Sequence, residues 1–141
     1  MWCRRVLLVA AILSPLLGPA PASATTADRV TATVLWQQSA GGIDFVFREI
    51  TIAGGGSTGW HWHSGQLYGV IKQGTLTHYG ADCSVDGIYP AGAGVFELSG
   101  AHHVHIGRNL GGDPLVMQVL YVLPTGSALS EDAPDPGCGF S

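Results

Sequence analysis

The chain has 141 residues and a formal net charge of −4, with 46% of its residues hydrophobic and only 11% charged. It is too apolar to be a disordered chain. Its few basic residues are not clustered, which excludes nucleic acid and an anionic membrane surface as natural partners.

The first 24 residues read as an export signal and not as part of a fold. Arg4 and Arg5 form a short basic region, Val6 to Leu17 is apolar and broken by Pro15, and Ala22-Ser23-Ala24 supplies the small residues of a cleavage site. Cleavage is therefore expected before Thr25. The apolar stretch is shorter than the ~20 residues that span a bilayer, and no cysteine stands at the cleavage point to carry a lipid. The expected mature chain, Thr25 to Ser141, is secreted (extracellular or periplasmic) and has no membrane segment. It keeps four basic residues against ten acidic ones, and is long enough for one domain with one core.

After the leader no helical period of useful length appears. Strand-like runs follow one another: 30–37, 43–52, 60–63, 67–72, 75–79, 85–89, 94–98, 103–106 and 115–123. Many alternate in hydrophobicity, as in Asp44-Phe45-Val46-Phe47-Arg48-Glu49-Ile50, the pattern of half-buried strands. Glycine- and proline-containing turns separate them, among them Ala40-Gly41-Gly42, Gly54-Gly55-Gly56, Gln73-Gly74 and Pro90-Ala91-Gly92. Short strands at this spacing predict an all-β sandwich or barrel. From about Ser127 the acidic, proline-containing tail is expected to be irregular.

Cys3 belongs to the leader, which leaves Cys83 and Cys138. An isolated pair in an exported chain predicts a disulfide, here tying the tail to the loop around Asp82-Cys83-Ser84. Neither cysteine neighbours a second thiol at metal-ligand spacing.

The chemistry lies in the histidines. His61 and His63 alternate in a strand-like run, so both side chains leave one face of a sheet; His105 lies in a second such run. Three imidazoles converging from two strands make a metal site. Neutral imidazole suits zinc, iron, copper and nickel, and the lack of an accompanying carboxylate argues against magnesium and calcium. His103 shares the parity of His105 and is a candidate alternative ligand or substrate-binding pocket-mouth residue, while His102 reads as a loop residue and His78 as an outward strand residue. Trp60, Trp62 and Phe96 read as packing residues. Glu97 and Arg48 are single charges in strands, and either a cavity or a solvated face accounts for them. No Ser-His-Asp or Cys-His constellation and no phosphate loop is present.

The glycines and histidines together resemble the two motifs of the cupin superfamily. The first runs glycine, five residues, His-x-His, three or four residues, glutamate, six residues, glycine; Gly55, His61, His63 and Gly74 match it, and Leu67 stands where the glutamate belongs. In the second motif Gly94, His105 and Asn109 match, while Gly100 and His102 replace a proline and a glycine. The resemblance implies a double-stranded β-helix (jelly-roll) barrel around a single divalent transition metal (iron, copper, nickel, zinc or manganese) held by His61, His63 and His105. It implies a small-molecule ligand or substrate, in the manner of three-histidine dioxygenases, or else a non-catalytic small-molecule or metal-binding module. Such barrels often pair through edge strands, which makes a homodimer an expectation. Tyr68, just after the replaced glutamate, Leu67 itself and Gln66 are the further pocket candidates, although alternation puts Gln66 on the face opposite Leu67.

Overall fold

The computed structural model describes residues 24–141; apart from Ala24, the predicted leader lies outside the described residues. Ten strands and no helix make up the described chain: β1 (Asp28–Ala40), β2 (Ile43–Ser57), β3 (His61–Trp62), β4 (Gln66–Gln73), β5 (Thr75–Gly80), β6 (Val85–Pro90), β7 (Gly94–Glu97), β8 (His105–Arg108), β9 (Leu115–Pro124) and β10 (Glu131–Asp132). The nine predicted runs all become strands, with ends moved by a few residues.

The strands form two antiparallel layers. One runs β1-β2-β9-β4-β7, the other β6-β5-β8-β3-β10, and they join where Ser57 at the end of β2 pairs with Arg108 of β8. Alternation decides which side chains enter the space between the layers. In β9, Leu115, Met117, Val119, Tyr121 and Leu123 are buried while the residues between them are only partly so. Ile50 and Ile52 of β2, Leu67 and Ile71 of β4 and Leu76 of β5 close on them to make the main core.

Two of the glycine matches and the asparagine are explained by backbone needs. Gly55 has φ +74, a left-handed conformation that costs glycine little. It lets the Gly55 N–H donate to the Asn109 carbonyl at 2.9 Å, and the Asn109 N–H donates back to Gly56. The buried Asn109 side chain donates to the carbonyls of Ile52 and Asp113 and accepts from the Gly111 N–H. Gly74, also left-handed at φ +76, turns β4 into β5 where a Cβ would sit 3.0 Å from Leu115. These positions join strand ends and leave the histidines to do the chemistry.

The tail departs from the sequence expectation. Most of it is irregular, but Glu131 and Asp132 pair with Trp62 and His61 as an added edge strand, and the Ala133 N–H donates to the Trp60 carbonyl. Phe140 stacks on the fully buried Trp60, whose indole N–H donates to the Phe140 carbonyl. Burying one such aromatic side chain stabilises by roughly 1.5–3 kcal/mol, which explains why so polar a segment stays down. Cys83 and Cys138 form the predicted disulfide, 55 residues apart in sequence.

Candidate metal centre

The site lies between the two layers. His61 of β3 is directly paired with His105 of β8, and directly opposed residues share a face of the sheet. Their ring centroids are 4.4 Å apart. His63, one residue beyond β3, turns in beside them, 4.7 Å from His61 and 5.2 Å from His105. All three are buried. The structure thus brings together the three histidines singled out in the sequence.

Each imidazole is held by a backbone carbonyl on the ring nitrogen that points away from the centre. His61 Nδ1 meets Gly59 O at 2.8 Å, His63 Nδ1 meets Leu129 O at 2.7 Å, and His105 Nδ1 meets His103 O at 2.8 Å. A carbonyl only accepts, so Nδ1 carries a hydrogen in each ring, and a ring with no second proton presents the lone pair of Nε2 toward the centre. That is the arrangement by which an outer shell orients metal-ligating histidines. Nε2 of His63 and of His105 is buried without a hydrogen-bond partner.

The carboxylate expected at Leu67 comes from another strand. Leu67 of β4 is directly paired with Glu97 of β7, so both side chains point between the layers. Glu97 Oε2 lies 3.0 Å from His63 Nε2 and 3.4 Å from His105 Nε2, near in distance but without the angles of a hydrogen bond. One ligand atom from each of His61, His63, Glu97 and His105 falls within 4.8 Å of all the others. The expectation of a carboxylate-free site is therefore corrected: the acid has moved across the ladder to the position opposite Leu67. The strand alternation of Gly94–Leu98 allowed an inward Glu97, but nothing in a single sequence reveals which strand lies beside β4.

Leu67 lines an enclosed cavity of about 50 Å³ next to the histidines, with Ile50, Met117 and Val119. Gln66 and Tyr68 do not reach the site. With Leu67 inward both point out, and there the Tyr68 hydroxyl donates to Gln66 Oε1 while its ring packs on the exposed Phe96. His103 does not join the converging ligand atoms. It stands in the preceding turn, where its carbonyl orients His105 and its ring packs on His102 at the edge of an outer groove of about 470 Å³.

His78 corrects the sequence reading most plainly. It is buried, not outward, because it shares the parity of Leu76 on β5. Its Nδ1 contacts the Asp86 carboxylate, and its Nε2 faces Glu97 Oε1 at 3.6 Å. Asp86, His78 and Glu97 thus connect the outer groove to the centre.

The electrostatics suit a cation. Burial, reinforced by the neighbouring His105 and His63, pushes His61 down to about 3, so it stays neutral. Burial opposes ionisation of Glu97, but contacts with His105 and His63 outweigh it and hold the carboxyl well below the usual carboxylate range. Burial also opposes a charge on His105, yet Glu97 beside it raises that imidazole. Three imidazoles and one carboxylate form a nitrogen-rich set that suits zinc, iron, copper, nickel or manganese better than magnesium or calcium.

No protein-family model matches the sequence, and no curated protein does. Solved structures do. The polyketide cyclase RemF from Streptomyces resistomycificus superposes with a TM-score of 0.57 at 18% identity, over 88% of this chain and 90% of that one. A double-stranded β-helix protein from Klebsiella pneumoniae gives 0.59 at 19% identity, over 82% and 89%. A cupin domain from Bordetella pertussis gives 0.55 at 22% identity, over 71% and 96%. The chain has the cupin fold. As the sequence resemblance implied, the cupin barrel places its histidines inside and between the layers.

Tyr121 packs edge-on against His63, ring centroids 5.9 Å apart, and burial pushes its hydroxyl up to about 12. In the unfolded chain it ionises near 10.0. Between those values the unfolded chain has lost a proton that the folded barrel keeps. Stability is thus full below about pH 10 and falls by about 1.4 kcal/mol per pH unit up to about pH 12. Denaturant midpoints measured from pH 8 to 12 are expected to show this fall, and Tyr121→Phe to flatten it; an unchanged slope would place the tyrosine in contact with solvent.

Proposed function

We propose that this protein is an exported cupin which holds one divalent transition metal through His61, His63, His105 and Glu97 and acts there on a small organic molecule as a metal-dependent oxygenase. The observation that carries the metal is the set of carbonyl-held Nδ1 atoms, which leaves the Nε2 nitrogens facing one carboxylate in a buried centre. Nothing else nearby satisfies the buried Nε2 atoms of His63 and His105, and unpaired buried polar atoms are costly. Export rests on the basic, apolar and small-residue regions of residues 1–24 and on the disulfide, a bond suited to an oxidising compartment.

A metal bound there supplies Lewis acidity and, if it is iron or copper, one-electron chemistry. The chain's own contribution is definite. His61 and Glu97 present a neutral imidazole and a carboxylate without a proton to remove, Leu67, Met117 and Val119 exclude bulk water, and the His78–Asp86 pair faces the outer carboxylate oxygen. A second reading is a non-catalytic metal- or small-molecule-binding module, favoured by the small volume of the enclosed cavity. The similarity to RemF also supports action on small molecules without settling on oxidation.

Dioxygen uptake separates the two. Protein reconstituted with iron(II) or copper(II) is expected to consume dioxygen with at least one member of a panel of small thiols, diketones and phenols. Stoichiometric metal without uptake on any of them would favour the binding module.

A further inference from the structure

We infer that the cavity beside His61 and His63 is an anion subsite, in which the guanidinium of Arg48 takes the carboxylate of a small organic acid. This rests on the metal reading above only for what the other end of that acid meets.

Arg48 stands half-buried on the inward row of β2, between half-buried Val46 and buried Ile50. A cation in such a row is costly unless it is paired. Among the described residues Arg48 makes no salt bridge: Arg29 pairs with Asp28, and the adjacent Glu49, on the opposite face, accepts from Gln118. Nε of Arg48 is buried with no partner. Its guanidinium carbon lies 5.7 Å from the centroid of Tyr121, a contact that offsets part of the cost.

The space in front of it has the chemistry of an acid site. A cavity of about 200 Å³ is bounded by Arg48, Tyr121, Ser130, His61 and His63, with Val30 and Ala32 of β1 on its outer side. Guanidinium and carboxylate match as a planar, two-pronged pair. The side chains of Tyr121 and Ser130 also border the cavity and carry hydroxyls. The volume is that of roughly six to seven liquid waters, room for the carboxylate end of a small acid. Because His61 and His63 form the far wall, a hydroxyl, keto or thiol group next to the carboxylate would lie on the metal side.

The test uses zinc-loaded protein and matched pairs of probes: acetate, glycolate and lactate against acetamide, glycolamide and lactamide, followed by calorimetry. At least one acid is expected to bind about tenfold or more tightly than its amide, and Arg48→Gln to erase that preference while zinc content stays at the native level. Ala32→Glu, at an exposed position on the cavity's outer wall, leaves Arg48 in place and offers it a built-in carboxylate; it is expected to block the acid, whereas Ala32→Gln does not. It also keeps the question answerable if Arg48→Gln does not fold. Acids bound no better than amides by the native protein, or equally well by native, Arg48→Gln and Ala32→Glu proteins, would overturn the subsite. An Arg48-dependent preference for acids in a protein that retains no zinc would uphold the subsite and remove the metal.

Discussion

Replacing His61, His63 or His105 singly by alanine is expected to strip the protein of metal. Changes to the outer partners of a metal-binding histidine cost about 10–100-fold in affinity, so losing the imidazole itself should exceed about 100-fold. The measurement is elemental analysis of purified mature protein after dialysis, with circular dichroism to show that the barrel persists. Glu97→Gln keeps the side-chain shape but removes the charge, and its expected loss is smaller, about 10–100-fold. Leu67→Ala, which shares the same wall and carries no ligand atom, should retain metal. Full metal content in the alanine variants would reject the centre, and full affinity in Glu97→Gln would remove the carboxylate from it.

The second large effect concerns the disulfide. Cys83 and Cys138 close a loop with a sequence separation of 55, which the chain-entropy account values at about 4 kcal/mol. For a domain of this size that corresponds to a fall in Tm of about 15 °C. The paired change Cys83→Ala with Cys138→Ala is expected to show it in a thermal melt. A loss in metal affinity should accompany the loss in stability, because the Leu129 carbonyl that orients His63 belongs to the segment the disulfide retains. If Tm falls and metal affinity does not, the pairing of β10 with β3 and the stacking of Phe140 on Trp60 keep that carbonyl in place without the disulfide.

Much of this could be read from the linear chain, and the exceptions share one cause. The nine strand runs were legible because alternation is a local pattern, and the three histidines because their spacing to Gly55, Gly74, Gly94 and Asn109 is local too. The disulfide followed from having only two cysteines beyond the predicted leader. What escaped was anything decided by which strand lies next to which. Glu97 became a member of the site by standing opposite Leu67, a relation created only when β7 docks on β4. His78 and Arg48 carried inward parity all along, but a charged or polar residue on a strand is more often solvated, and only packing shows the exception. Tyr68 failed in the opposite way: being next to Leu67 in sequence put it on the other face of the sheet. The tail's short strand could not be foreseen because two residues carry no period.

The way the domain begins and ends has its own consequence. Ala24 bridges to Pro134, and Thr25 donates its N–H to the Ala133 carbonyl and accepts the Trp60 N–H on its hydroxyl. The Ala24–Thr25 and Ala133–Pro134 segments therefore lie side by side against Trp60, one residue from His61. That seam borders a candidate ligand, so a pull on either segment would be felt first at His61.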